Sequence, residues 1–142
     1  MSNKNPHVLM DLIRYRIRAI ENGYWLEALA LAHLFVETQL RLILSGISDQ
    51  SGKSIPKSVI ENQKYVMQLA NLAKDNGIVN NATWQMIKDF NRARNEAIHG
   101  LSSGQITYDD LREPAVDAGD LIFQLQRYYV TVNIGPEIKI EN

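Results

Sequence analysis

The sequence predicts an all-α fold, a single small helical bundle of about five helices with a short extended C-terminal tail. Its 142 residues are the length of one domain, and 45% hydrophobic with 22% charged residues is typical of a soluble globular protein. Apolar residues follow helical spacing, most clearly in residues 84–98. Glycine-containing pairs divide the chain at helical intervals, as expected of helix ends. These pairs are Asn22-Gly23, Ser45-Gly46, Asn76-Gly77 and His99-Gly100.

The first two helices are predicted over residues 6–21 and 24–44. Pro6 suits the first helical position, and Asn22-Gly23 ends the first helix. The second helix ends at Ser45-Gly46. Leucine and alanine surround most of its circumference, which predicts burial on most sides and a central place in the bundle.

A polar loop over residues 46–57 leads to a third helix at 58–75. A fourth helix is predicted at 82–99, with Asn81 as its N-cap and Gly100 at its end.

The last helix follows a second polar loop. Thr107 precedes Asp110 by three residues, an acidic variant of the capping box, and predicts a short helical turn. Because Pro114 disfavours helix in the residue before it, we expect a break near Glu113 and a fifth helix over 114–130. Residues 131–142 are predicted to form an extended arm or short edge strand that pairs subunits. The whole chain, 1–142, is read as one domain with its core at 6–130.

Composition excludes several kinds of site. The chain has no cysteine, which excludes disulfides, thiolate zinc sites, iron–sulfur clusters and cysteine nucleophiles. Its three histidines lack metal-ligand spacing, so we expect no metal and no cofactor. The net charge of −1 provides no overall positive field, so any nucleic acid must bind at a local patch or pocket.

The most apolar stretch, residues 25–44, resembles a membrane span in length. Its polar residues, Glu27, Glu37 and Arg41 among them, argue against that interpretation, because each central charge costs about 2.5–3.5 kcal/mol on insertion. The first residues also lack the pattern of a secretory signal. We therefore expect a cytoplasmic protein that does not bind membranes.

The fourth helix carries the residues most suggestive of chemistry. At about 100° per residue, Arg94 falls in the middle of an otherwise apolar face, where a guanidinium needs a paired anion, a subunit interface or a ligand cleft. Asn91, Asn95 and His99 form a stripe along the edge of that face. Arg94 and His99 are about 140° apart and do not share a face by spacing alone. The apolar face comprises Trp84, Met86, Ile87, Phe90, Ala93, Ala97 and Ile98.

The second helix has a related pattern, with His33, Glu37 and Arg41 spaced four residues apart. Glu37 is a candidate anion for Arg94, and equally a partner of Arg41 in an ordinary helical pair worth about 0.2–0.5 kcal/mol. In an unrelated helical bundle, Arg94–Glu37 would be only a structural ion pair. Under the plainest interpretation, His99 stabilises a helix C-terminus and Arg94 extends to solvent.

The fourth helix contains Arg94-Asn95 followed, after three residues, by His99. This motif resembles the Arg-Asn-x-x-x-His signature of the HEPN superfamily, whose members are small all-α domains found in higher eukaryotes and prokaryotes. In that family the motif lies near the end of a late helix, before a polar loop and a final helix. The long apolar helix with Glu37 and Arg41 is similar to an early helix of the family. The resemblance covers residues 24–129.

The resemblance implies a metal-independent endoribonuclease of a toxin–antitoxin pair or of host defence by abortive infection. Arg94 would hold the scissile phosphate, His99 would act as general acid or base, and Asn95 would orient His99 or contact the phosphate. Glu37, Arg41 and Asn91 would support them, and Lys88 and Arg92, by position ordinary solvated residues, would extend the phosphate track.

Such proteins usually dimerise through the motif-bearing helix, so the implied partners are RNA or a nucleotide, a second copy and an antitoxin. The alternative is a non-catalytic HEPN domain that binds nucleotides or other proteins.

Overall fold

A computed structural model describes residues 7–51 and 55–133. Within these ranges the fold is a small all-α bundle without strands, as predicted. It contains six α-helices and one 3-10 turn. In chain order these are α1 (His7–Glu21), α2 (Trp25–Ser51), α3 (Lys57–Glu61), α4 (Val66–Asp75), α5 (Asn81–Ser103), the 3-10 turn (Tyr108–Leu111) and α6 (Arg112–Asn133).

The centre of the bundle is α2, which packs chiefly against α6 and α1 and also against α4. Its Phe35, Val36 and Leu40 are almost completely buried, which fits its predicted central place. The predicted burial on most sides is incomplete, because Leu26, Ala30 and Leu34 are exposed. Residues Trp25–Gly46 have the length and hydropathy of a membrane span, a property shared by core helices of this kind. In this fold about half of the span is buried by the other helices.

The predicted end of the second helix at Ser45-Gly46 is wrong, because α2 continues to Ser51. One glycine inside a helix costs only about 1 kcal/mol, which the burial of Ile43 and Leu44 in the preceding turn outweighs. The first part of the predicted loop is therefore helical.

The predicted third helix, residues 58–75, is divided into α3 and α4. The guanidinium of Arg41 donates to the backbone carbonyls of Ile60 (3.0 Å) and Gln63 (2.7 Å), and so binds carbonyls that a continuous helix would use. The side chain of Gln68 accepts hydrogen bonds from two backbone N–H groups just before α4, at 2.7 and 3.2 Å. Side chains thus satisfy the backbone on both sides of the break.

The start of α5 differs by one residue from the prediction. Asn80, not Asn81, is its N-cap, and the Asn80 side chain accepts a hydrogen bond from the backbone N–H of Thr83 at 2.8 Å.

The end of α5 differs by a full turn. Gly100 is buried inside the helix, and Gly104 ends it with a φ of 79°, a conformation that favours glycine. A β-carbon on Gly100 would lie 3.1 Å from the Ile106 side chain, so the missing side chain lets the following loop pack onto the helix. His99 consequently lies on a complete helical turn rather than at the C-terminus.

The connection to α6 contains the predicted capping motif. The backbone N–H of Thr107 donates to the Asp110 carboxylate at 2.8 Å. The predicted break near Glu113 is absent, because Pro114 lies in the first turn of α6, where backbone N–H groups have no helical partner to lose. Since α6 extends to Asn133, the predicted extended tail is helical at residues 131–133. The rest of that tail, 134–142, lies outside the described residues.

Candidate functional site

One side of α5 forms a groove with α4, here called the α4–α5 groove, of about 570 Å³. Most of its described lining residues have polar side chains, and these include two cations and one carboxylate. The lining residues are Met67, Lys88, Asn91, Arg92, Asn95, Glu96, His99, Gly100 and Gln105.

The predicted stripe of Asn91, Asn95 and His99 lies together in this groove. Asn91 is half-buried, whereas Asn95 and His99 are exposed. An imidazole and two amides on successive turns of one helix, spread over about 12 Å, can donate to and accept from neighbouring groups of one extended ligand. The sequence pattern therefore locates three polar side chains of one solvent-accessible surface.

Arg94 occupies a different position from His99. It is half-buried and does not line the groove, as its place on the helix wheel predicts. Its Nη1 donates to Oδ1 of Asn95 at 3.3 Å, and no carboxylate of the described residues forms an ion pair with it. Asn95 is thus the link, since its side chain contacts Arg94 and also lines the groove that contains His99.

Glu37 and Arg41 form an ion pair on α2, with Oε2 of Glu37 3.0 Å from Nη2 of Arg41. Of the two partners predicted for Glu37, the structure therefore selects Arg41. The same guanidinium holds the break between α3 and α4, so Arg41 has a structural role. A direct Arg94–Glu37 ion pair is not formed among the described residues.

His33 lies within electrostatic reach of Arg94, although the sequence pattern predicts no functional role for it. Burial lowers the pKa of His33, and the positive charge of Arg94 lowers this pKa further, while the charge of Glu37 acts in the opposite direction. The face of α2 that carries His33 and Glu37 therefore lies within electrostatic reach of Arg94. In the sequence, the four-residue spacing of His33, Glu37 and Arg41 indicates that they share one face of α2, but it does not show which helix this face contacts.

On its other side, α5 forms a second groove with α6, the α5–α6 groove, of about 540 Å³. Its floor is apolar and includes Phe90, Ile106 and Leu121. Ala93, predicted on the buried face of α5, is exposed here. Among the described residues no cation lines this groove, and six carboxylates do, those of Asp89, Glu96, Asp110, Glu113, Asp117 and Asp120.

In the described part of the chain, no group of three or more histidine and acidic side chains is arranged to hold a metal ion. The chemistry available in the α4–α5 groove is therefore hydrogen bonding, positive charge and the proton transfer of an imidazole.

No protein-family model, no curated protein and no solved structure matches this chain. The resemblance to the HEPN superfamily rests on the sequence alone, on the Arg94-Asn95-x-x-x-His99 motif and its position before a polar loop and a final helix.

Proposed function

We propose that this protein is a HEPN-type endoribonuclease that cleaves RNA without a metal ion. The observation that carries the proposal is the linked set of Arg94, Asn95 and His99. The guanidinium of Arg94 has no described carboxylate partner, and its Asn95 contact leads directly into the groove of His99. A half-buried arginine without a counterion is costly unless an anion joins it, and a phosphodiester is such an anion.

The proposed reaction uses the 2′-hydroxyl of the RNA as the nucleophile. The 2′-oxygen attacks the adjacent phosphorus and loses its proton to a base, while the bond from phosphorus to the 5′-oxygen breaks. The leaving 5′-oxygen takes a proton, so the products carry a 2′,3′-cyclic phosphate and a 5′-hydroxyl. His99 transfers a proton at one of these two oxygens, Asn95 orients it, and Arg94 stabilises the charge that develops on the phosphoryl oxygens.

We propose further that the enzyme is a homodimer formed through the side of the bundle that carries Arg94. Leu26 and Leu34 on α2 are 39% and 46% exposed, and Ala30 between them is also exposed. At 100° per residue these three share one stripe of α2 with His33, which lies within reach of Arg94. Burial of this apolar stripe against a second copy would bring two motifs to one cleft.

The cellular role proposed with this activity is that of a toxin or an abortive-infection protein in the cytoplasm, controlled by an antitoxin. An RNA-cutting enzyme that needs no metal or cofactor would be active as soon as its dimer forms. A host cell therefore needs a partner protein that blocks the cleft.

A second candidate is a non-catalytic domain that binds a nucleotide. Within one chain, Arg94 does not line the groove of His99, and this separation favours binding over chemistry. Lys88, Arg92 and the amides of the groove would then hold the phosphates.

The decisive experiment is RNA cleavage by the purified protein in EDTA, compared with His99→Gln and Arg94→Ala. We expect each variant to lose about 10²–10⁴-fold of the rate, the range for a positioned proton donor or acceptor or a charge-stabilising group. Arg127→Ala, which removes an exposed arginine of α6, is the matched control and should cleave like the wild type.

Two further readouts separate the candidates. A substrate with a single 2′-deoxy nucleotide at the cleavage position should resist cleavage, and the normal products should carry cyclic phosphate ends. If folded wild-type protein cuts no RNA but still binds nucleotides in a manner that depends on Lys88 and Arg92, the nuclease proposal is wrong and the binding module replaces it.

A further inference from the structure

Two lysines are held on one tryptophan ring at the end of the α4–α5 groove. The Nζ of Lys74, from α4, lies 3.8 Å from the centroid of the Trp84 ring, and the Nζ of Lys88, from α5, lies 5.1 Å from it. The indole N–H of Trp84 donates to Oδ1 of Asn71 at 2.8 Å, which fixes the orientation of the ring. Trp84 thus gathers two positive charges from different helices.

In the described part of the chain, no carboxylate forms an ion pair with Lys74 or Lys88. Two like charges held on one ring repel each other, and the attraction of the ring offsets this only in part. An anion that contacts these ammonium groups would reduce the repulsion, so this position is suited to a phosphate group.

The lysines belong to a longer stripe that reaches the proposed cleavage site. At 100° per residue, five side chains of α5 lie within about 80° of one another on the helix circumference. They are Trp84, Lys88, Arg92, Asn95 and His99. Fifteen residues separate the first from the last, a length of about 22 Å along the helix. All but Trp84 also line the α4–α5 groove.

We propose that single-stranded RNA binds along this stripe, with phosphates on Lys74, Lys88 and Arg92 and the scissile phosphate near Asn95 and His99. Only the position of the scissile phosphate rests on the proposed function. Positive charge along a groove, with an aromatic ring at its end, is typical of surfaces that bind single strands. A single strand can also turn its 2′-hydroxyl into line with the leaving oxygen, which a regular duplex prevents.

Two carboxylates near the stripe do not oppose this binding strongly. Asp89 pairs with Nη2 of Arg92 at 2.9 Å, but both side chains are more than half exposed, and a pair of this kind is readily exchanged for a phosphate contact. Glu96 is the one carboxylate among the described residues of the groove lining, and it also lines the α5–α6 groove.

The test measures binding without cleavage. A fluorescein-labelled single-stranded RNA with 2′-O-methyl groups at every position cannot be cut, and its anisotropy reports the affinity at several salt concentrations. Each phosphate contact contributes about −0.7 to the slope of log affinity against log salt. We therefore expect Lys74→Ala and Lys88→Ala each to reduce the steepness by about 0.7, and Lys74→Glu with Lys88→Glu to lower affinity at least tenfold.

Matched controls and a direct probe complete the experiment. Lys57→Ala and Arg127→Ala remove exposed cations elsewhere and should leave both affinity and slope unchanged. RNA should also change the tryptophan emission as the lysines leave the Trp84 ring for phosphates. The Trp25→Phe variant isolates this signal in Trp84, the second of only two tryptophans, and Trp84→Phe should abolish it if Trp25→Phe does not fold.

Equal losses in the control variants, or unchanged binding in the Lys74 and Lys88 variants, would overturn the RNA path. Equally tight binding of heparin or duplex RNA would replace it with a general polyanion surface. The two proposals fail separately. If RNA binding depends on the two lysines but the protein does not cleave RNA, the RNA path is supported and the nuclease proposal is wrong. If cleavage depends on His99 but the lysine variants bind RNA normally, the nuclease proposal is supported and the RNA path is wrong.

Discussion

The two grooves on either side of α5 are nearly equal in size, about 570 and 540 Å³, but opposite in chemistry. The α4–α5 groove has cations, amides and an imidazole over a floor with one apolar side chain, Met67. The α5–α6 groove has six carboxylates over an apolar floor. One helix therefore separates a surface suited to phosphates from a surface that repels them.

This contrast shows that the net charge of a chain does not describe how charges are distributed on its surface. A chain with a net charge of −1 has no overall field for RNA, yet opposite charges are sorted onto two sides of α5. Because charged surface groups are screened beyond about 10 Å in 0.1 M salt, it is this local sorting that decides where an anion binds.

The largest expected effect is the loss of stability when an apolar side chain is removed from the floor of each groove. Phe90 is only 8% exposed and belongs to the core, whereas Met67 is half-buried. We expect Phe90→Ala to lower the free energy of unfolding by about 3 kcal/mol and Met67→Ala by about 1 kcal/mol. Urea unfolding followed by circular dichroism measures both. Equal losses would mean that the α4–α5 groove is as much a part of the core as the α5–α6 groove.

The next effect concerns the glycine from which the chain reaches both grooves. Gly104 adopts a φ of 79°. The next residue, Gln105, lines the α4–α5 groove, and Ile106 lines the α5–α6 groove. We expect Gly104→Ala to cost about 1 kcal/mol, because a β-carbon is strained in this conformation. Thermal unfolding measures the loss. An unchanged stability would show that the helix end rearranges without cost.

A smaller effect is expected from the carboxylates of α6. Glu113, Asp117 and Asp120 follow one another at four- and three-residue spacing on one helix face, where like charges destabilise by about 0.2–0.5 kcal/mol per pair. Asp117→Asn should therefore raise the free energy of unfolding by a few tenths of a kcal/mol, and 0.5 M NaCl should reduce the gain. Asp11→Asn removes a carboxylate that is paired with Arg14 and should give no gain. Stabilisation by both variants would point to net charge rather than to the groove.

The last prediction concerns the side of α5 to which Arg94 belongs. The pKa of His33 is lowered by burial and then by the charge of Arg94, so Arg94→Ala should raise the pKa of His33 toward its ordinary value. Proton NMR of the imidazole resonances measures this, and His33→Gln identifies the signal. An unchanged pKa would place the guanidinium in the α4–α5 groove instead.

The same shift has a consequence for stability. Between the unfolded pKa of about 6.5 and the lower folded pKa of His33, the unfolded chain binds more protons than the folded chain. Stability from this group is therefore lost as the pH falls through that window, and the loss should be smaller in Arg94→Ala.

Part of the candidate site could be predicted because it lies on one helix. Asn91, Asn95 and His99 share a stripe by spacing alone, and the structure places all three in one groove. The partner of Glu37 could not be chosen in this way. Its selection of Arg41 depends on how α2 and α3 pack, since the carbonyls of α3 and of the loop after it fix the Arg41 side chain.

The same division holds for the fold. The sequence by itself determined the helical class, the helix ends at Asn22-Gly23 and Asn76-Gly77 and the Thr107–Asp110 capping motif, because caps and helical periodicity act within one or two turns of the chain. Tertiary structure alone decided that α2 passes through Gly46, that Arg41 divides the third helix, and that α5 separates two grooves of opposite chemistry. Each of these depends on contacts between segments far apart in sequence. The free energy gained from burial and from charge interactions in these contacts exceeds the local helix propensity of a single glycine or of a short stretch of chain.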